Sequence, residues 1–157
     1  PTALGGCIGA VVGLVAITPA SGYVDVGPSI FIGAFAAFVC NFAAHLRSKS
    51  ALDDTLDVFP CHGVGGMVGM VLTGVFAQKV GLTSGETSMF MYQLLALVIA
   101  AVYTFVASVV LLKVTDAIIP IRVTAEQEDL GLDLSQHGEA IARPPLMVVS
   151  GAQAMAA

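Results

Sequence analysis

His62 is the side chain in this sequence with the clearest capacity for chemistry. It lies in a stretch without formal charge, residues 58–78, which is about long enough to cross a bilayer. Ionisable residues inside membrane spans are costly, and they usually face a bundle interior or a solvated path. A neutral imidazole offers one hydrogen-bond donor and one acceptor, and it exchanges a proton near neutral pH. We therefore predict that His62 binds a small polar solute or relays a proton.

The glycines around His62 determine what can approach it. On a helix, His62 shares a face with Gly66, Gly69 and Thr73, and Gly65 begins a second face of small residues. This pattern predicts an imidazole above a shallow groove with little side-chain bulk. The alternative is a buried histidine bonded to a backbone carbonyl of a neighbouring helix, with the glycines serving helix packing alone.

Other candidate residues have structural interpretations that we prefer. Asp57 is predicted to cap the helix that follows it, and a carboxylate in a transport path is the alternative. His45, beside Arg47, is predicted to lie at the membrane interface. Four phenylalanines on the second apolar stretch are predicted to contact lipid or pack rather than form a gate: Phe31, Phe35, Phe38 and Phe42.

The sequence lacks the motifs of several enzyme classes. Residues 63–68 do not satisfy the dinucleotide-binding spacing, and there is no P-loop, zinc-protease or nucleophile-elbow motif. No enzyme activity, metal or cofactor is predicted. Haem ligation by His45 and His62 is disfavoured because the two histidines lie at opposite ends of one loop, near the same membrane surface. The cysteines fall in apolar stretches and are predicted to be unpaired: Cys7, Cys40 and Cys61. Basic residues are not clustered, so nucleic acid is not an expected partner.

Composition predicts an all-α, polytopic membrane helix bundle. Of 157 residues, 57% are hydrophobic and 11% are charged, against roughly 25% charged in a soluble domain. The mean hydropathy is +0.91. Charge-free windows predict four transmembrane helices, at about 2–18, 28–46, 58–77 and 88–119. Gly5, Gly9 and Gly13 repeat every four residues and predict close helix packing.

Two regions are predicted, a membrane domain at 1–121 and a polar tail at 122–157. Four basic residues, Arg47, Lys49, Lys113 and Arg122, lie on one side of the four-helix arrangement, which predicts a cytoplasmic C-terminus. We expect the end of the tail, 143–157, to be poorly ordered. Because the chain begins with Pro1 at the edge of an apolar stretch, we expect it to be a fragment.

Several separated motifs resemble the ammonium transporter (Amt/Mep/Rh) family. They are GLVAITPASG at 13–22, DVFPCHGVGG at 57–66, TGVF at 73–76, and the tail elements EQE at 126–128, GLD at 131–133 and HGE at 137–139. The resemblance covers about residues 1–140 and corresponds to the family's last four membrane helices and its cytoplasmic tail.

The resemblance implies ammonium transport by a multi-pass plasma-membrane protein. The family has eleven membrane helices per subunit and forms trimers with one hydrophobic pore in each subunit. His62 matches the second histidine of a pair along that pore, and Val58 and Thr18 are expected near it. Asp57, Gly63, Gly66 and Gly69 are expected as structural residues beside the pore. In bacterial members the tail also receives a P-II regulatory protein.

Two other functions remain open from the sequence. One is a membrane domain that senses ammonium for a signalling protein. The other is a purely structural helix bundle in which His62 is buried and hydrogen-bonded.

Overall fold

The computed structural model describes residues 3–139, and within that range it contains helices and turns without strands. The principal helices are α1 (Ala3–Ile17), α2 (Val26–Ser48), α3 (Gly65–Phe76), α4 (Thr87–Ile118) and α5 (Ala125–Leu130). A π-helical turn, Phe59–Val64, leads directly into α3 and is called the π turn below. With that turn included, the bounds of the four long apolar helices lie within two residues of the predicted ones.

Three apolar helices are long enough to cross a membrane by length and composition. They are Val26–Ser48, Phe59–Phe76 and Thr87–Ile118, whereas the apolar stretch Gly5–Ala20 is shorter. α1 ends at a 3-10 turn, Thr18–Ala20, because Pro19 sits at its start and cannot donate a backbone hydrogen bond. The sequence predicts four spans. The first of them, α1 with the turn that follows it, is shorter than the other three.

The structure divides into two compact units, Pro1–Phe105 and Val106–Ala157, and the division falls inside α4. In the first unit, α1, α2 and α3 pack around a core of small residues. The buried positions recur every four residues on each helix, so that each helix presents one narrow face. They are Val12 and Ala16 on α1, continued by Ala20 of the 3-10 turn; Ile32, Ala36 and Cys40 on α2; and Cys61, Gly65, Gly69 and Thr73 on the π turn and α3.

At Gly13, one position of the predicted glycine ladder, α1 lies close to α2. A Cβ added to Gly33 of α2 would lie 3.8 Å from the Cα of Gly13, so the two backbones meet there. A Cβ added to Gly9 would meet nothing within 4 Å. The face that α1 buries is the one carrying Val12 and Ala16, and of Gly9 and Gly13 only Gly13 meets the α2 backbone.

α4 differs from the other long helices because none of its residues is buried. Its 32 residues rise on the order of 48 Å, which exceeds the thickness of a hydrocarbon core. Near its start, Phe90 and Gln93 lie against Gly74 of α3. A helix that is apolar all round needs an apolar surrounding, which in a membrane protein is lipid or other helices.

The second unit contains the polar segment that follows α4. Thr124 and Gln127 form a reciprocal capping box that begins α5, and the Ser135 hydroxyl donates to the Gln127 carbonyl. Arg122 pairs with Glu128 at 3.4 Å. The stretch 143–157, expected to be poorly ordered, lies outside the described residues.

Candidate functional site

His62 lies in the π turn, not in a regular α-helix. The turn begins after Val58, carries Pro60 in its first positions and ends at Gly65, whose N–H donates to the His62 carbonyl. π-helical turns are uncommon and are found frequently at functional sites. They change the register between the residues before and after them, so the spacing rules of an α-helix do not carry across the turn.

The change of register separates residues that the sequence placed on one face. Gly69 and Thr73 are buried against the neighbouring helices, whereas His62 is exposed and Gly66 is half-buried. The prediction of a single open groove running from His62 through Gly69 to Thr73 is therefore wrong. The buried face of α3 is continuous with Cys61 and Gly65, one residue out of step with His62.

Gly69 serves packing in this structure. A Cβ at this position would overlap the backbone carbonyl of Ala16 on α1. The Thr73 hydroxyl donates to the Gly69 carbonyl at 2.7 Å, so the one buried polar side chain among the described residues is satisfied. The interpretation of the glycines as packing residues therefore holds for Gly69 on α3.

Asp57 does not cap the helix, contrary to the sequence prediction. Its φ of 53° places it in the left-handed region, which an N-terminal capping residue does not adopt. Asp54 takes the capping role, because its two carboxylate oxygens accept hydrogen bonds from the Val58 and Phe59 N–H groups at 2.8 and 2.9 Å. These bonds lower the pKa of Asp54, with Phe59 contributing most and the charge of Arg47 adding a smaller part.

The Asp57 carboxylate instead forms an ion pair with Arg47, which lies in the last turn of α2. One oxygen of Asp57 accepts from Nε of Arg47 at 3.0 Å and from a terminal nitrogen at 2.5 Å. The two side chains are 24% and 21% exposed, so the pair is largely shielded from solvent. We call this ion pair, together with the Asp54 hydrogen bonds to Val58 and Phe59, the loop clamp.

A cavity of about 480 Å³ opens beside the π turn and the loop clamp. Its walls bring together three of the predicted site residues, His62, Val58 and Gly63. The remaining wall residues are Arg47, Leu52, Asp53, Asp54 and Phe59. Within the described part of the chain the imidazole of His62 has no hydrogen-bond partner, so it is available to a ligand in this cavity.

Thr18, Gly66 and Gly69 are not among the residues that line the cavity. Thr18 lies in the 3-10 turn after α1, and its hydroxyl donates to the Leu14 carbonyl at 2.8 Å. Asp57 reaches the cavity only through its pair with Arg47.

Sequence reasoning missed two residues of this site, Arg47 and Asp54. From the sequence, Arg47 indicates only the orientation of the chain, and Asp54 is one of several acidic residues in a loop. A signal for Asp54 was present, because a carboxylate four residues before Val58 can reach the first free N–H groups of the helix. The partner of Asp57 could not be read, because Arg47 lies ten residues earlier on another helix.

A family model described as the Ammonium Transporter Family matches residues 1–141. The chain belongs to this family. The match covers the π turn, the loop clamp and every predicted site residue, and with the apolar helices it makes the chain part of a multi-pass membrane protein.

Individual relatives agree with the family match. The chain is 41% identical over 144 residues to ammonium transporter Amt1 of Archaeoglobus fulgidus, covering 88% of this chain and 37% of the relative. It is 42% identical over 147 residues to an ammonium transporter of Bacillus subtilis, covering 88% and 36%. The chain thus spans a little over a third of the length of these relatives.

The fold of the family is also found in a solved structure. The crystal structure of Mep2 from Candida albicans matches with a TM-score of 0.71 and 37% identity, over 83% of this chain and 31% of that one. The polytopic, helical membrane fold predicted from the sequence is therefore confirmed.

Proposed function

We propose that the protein carries ammonium across a membrane and that this chain supplies one wall of the path. The observation that carries the proposal is His62, an exposed imidazole without a hydrogen-bond partner among the described residues, at the edge of a cavity in an otherwise apolar membrane segment. The family match and the relatives named as ammonium transporters support the choice of solute.

The physical reason for an imidazole in such a path is desolvation. Moving a bare ammonium ion into an apolar channel is costly because its hydration is lost. Removing one proton at the entrance leaves neutral ammonia, which needs only hydrogen-bond partners along the way. His62 can accept a hydrogen bond from that molecule, or take up the proton that ammonium releases. The protein needs no covalent step, so we propose transport rather than enzyme catalysis.

The residues around His62 have supporting roles in this proposal. Val58 contributes an apolar side chain to the wall of the same cavity. Gly63 lets the Phe59 ring lie over the backbone beside the imidazole, because an added Cβ would come within 2.8 Å of that ring. Gly66 and Gly69 leave α3 without side-chain bulk at their positions. Thr18 is proposed as a polar group further along the path.

The arrangement in the cell is part of the same proposal. We propose a homotrimer in the plasma membrane, each subunit being completed by helices beyond this segment, with residues 1–121 in the membrane and the tail, 122–157, in the cytoplasm. The distribution of Arg47, Lys49, Lys113 and Arg122 supports that orientation. A P-II regulatory protein is the proposed partner of the tail.

The test is substitution of His62 in the complete protein, expressed in a host without its own ammonium transporters. His62→Ala is expected to lower the maximal rate of methylammonium uptake at least about tenfold, because the solute loses a hydrogen-bond partner in an apolar path. His45→Ala, an exposed histidine at the end of α2, is the matched control and should retain uptake. Equal uptake by both variants at equal membrane levels would favour the structural interpretation of His62.

A further inference from the structure

The loop clamp contains more contacts than a helix start requires. One carboxylate, Asp54, already satisfies two of the free N–H groups at the beginning of the turn. The ion pair between Arg47 and Asp57 adds no capping bond. It instead connects α2 to Asp57, two residues before the π turn, so we ask which backbone conformation the ion pair stabilises.

The ion pair holds a backbone conformation that is otherwise unfavourable. Asp57 has a φ of 53°, and residues other than glycine rarely adopt the left-handed region. Asp57 also accepts a backbone hydrogen bond from the N–H of Cys61 at 2.9 Å, one residue before His62. A change in the Asp57 backbone is therefore transmitted directly to the turn that carries the imidazole.

The surroundings of the pair favour a rigid rather than a fluctuating contact. Both nitrogens of the Arg47 fork bind one oxygen of Asp57, and both side chains are largely shielded from solvent. The backbone carbonyl of Arg47 is also fixed, because it accepts from the N–H of Ser50 at 2.8 Å and from its hydroxyl at 2.7 Å. Arg47 and His62 line the same cavity from two different helices.

We propose that Arg47 is a positioning residue for His62: its ion pair with Asp57 fixes the left-handed bend from which the π turn starts, and so sets where the imidazole meets the cavity. Arg47 acts on the solute only through His62. The inference rests on the proposed function for its transport consequence, but its structural consequence can be measured without transport.

The experiment compares four variants of the complete protein. Arg47→Gln removes the charge, Asp57→Asn removes its partner while keeping a residue that tolerates the left-handed region, and the double variant combines them. Lys49→Gln is the matched control, since it removes an exposed positive charge two residues from Arg47. Concentration dependence of methylammonium uptake and the rate at which diethyl pyrocarbonate modifies His62 are both measured, with His45 as the internal reference for the modification.

Arg47→Gln and Asp57→Asn are each expected to lower the maximal uptake rate about tenfold with little change in Km, because a displaced group impairs the transfer step more than solute recognition. The double variant should lose no more than the worse single variant, since both remove the same pair. The modification rate of His62 should change several-fold while that of His45 stays constant. Lys49→Gln should behave as the wild type in both measurements.

Wild-type uptake by Arg47→Gln, or an unchanged modification rate at His62, would overturn the proposal, and so would losses that multiply in the double variant. If Arg47→Gln does not accumulate in the membrane, Arg47→Lys is measured in its place, because lysine keeps the charge and loses the two-nitrogen fork. An intermediate uptake rate and His62 modification rate in that variant support positioning. Failure of both variants to accumulate assigns Arg47 to folding and overturns it. If the wild-type protein takes up no methylammonium, the proposed function fails, and the modification of His62 still tests Arg47.

Discussion

The π turn and α3 follow one another without a break in the chain, but they are held by different kinds of contact. α3 presents Gly69 and Thr73 to the backbone of α1 and buries them in a core of small residues. The π turn presents His62 to a cavity, and its start is held by the charged and polar contacts of the loop clamp.

The comparison separates two uses of glycine within a few residues. In α3, the lack of a side chain at Gly69 allows two helix backbones to approach, as small residues do at membrane helix interfaces. In the π turn, the lack of one at Gly63 makes room for a single aromatic ring. Backbone atoms cannot yield, whereas an exposed ring can turn, so the two positions should respond differently to the same added methyl group.

The largest effect is expected at Gly69. Gly69→Ala places a methyl group on the Ala16 carbonyl, which neither helix can move without losing the interface. We expect a loss of about 3 kcal/mol in the free energy of unfolding, at the upper end of the usual range for overpacking. The measurement is the thermal unfolding midpoint of the purified protein in detergent.

Gly66→Ala is the matched control for this prediction. It makes the same chemical change one turn earlier on the same helix, where an added Cβ meets nothing within 4 Å. It should be neutral or stabilise by up to about 1 kcal/mol, since alanine is the better helix former. Equal midpoints for the Gly69 and Gly66 variants would remove the distinction between a packed and an open face of α3.

Much of the fold could be predicted from the sequence, because membrane helices are set by length and charge. The windows without formal charge located all four long apolar helices, and Pro19 and the loop charges marked their ends. The packing partners could not be predicted in the same way. Gly5, Gly9 and Gly13 form a regular pattern, but only the contact with α2 distinguishes Gly13 from Gly9.

Gly63→Ala is expected to lower stability less than Gly69→Ala does. Its effect on transport should be larger than its effect on stability. In Gly63→Ala the added Cβ would lie 2.8 Å from the Phe59 ring, which is 64% exposed and free to shift. We expect a change below about 1 kcal/mol in the free energy of unfolding. Because Phe59 and His62 line the same cavity, displacement of the ring should still lower methylammonium uptake.

A double-mutant cycle with Phe59→Leu sharpens this prediction. If the ring mediates the effect of Gly63→Ala, the two substitutions together should lower uptake by less than the product of their separate effects. Independent effects would mean that the methyl group itself obstructs the path. A loss of stability as large as that of Gly69→Ala would show that the π turn is packed like α3.

The site was predictable where it depends on residue type and not where it depends on register. His62 stood out as the one histidine in the charge-free stretch 58–78, whereas Val58 and Gly63 were indicated only by the resemblance to the family. The π turn broke the helical spacing that linked His62 to Gly69. The left-handed conformation of Asp57 is likewise invisible in the sequence, because it depends on an ion pair with a distant arginine.

The smallest effect on stability is expected at Asp54, where the contribution of the carboxylate should be present at neutral pH and disappear in acid. Hydrogen bonds from Phe59 and Val58 lower the pKa of this carboxyl group in the folded protein below its ordinary value of 3.8. A group whose pKa falls on folding stabilises the protein above its unfolded pKa, and that contribution is lost as the pH falls through the folded value. The wild-type unfolding midpoint should therefore drop more steeply below about pH 4 than that of Asp54→Asn, whose side chain does not titrate. Both curves should run parallel above about pH 5.

Glu86→Gln, at an exposed carboxyl group before α4, is the control and should keep the wild-type slope. Parallel curves for Asp54→Asn and wild type at every pH would mean that the carboxylate is not what holds the start of the π turn, and the contrast with α3 would then depend on the ion pair alone.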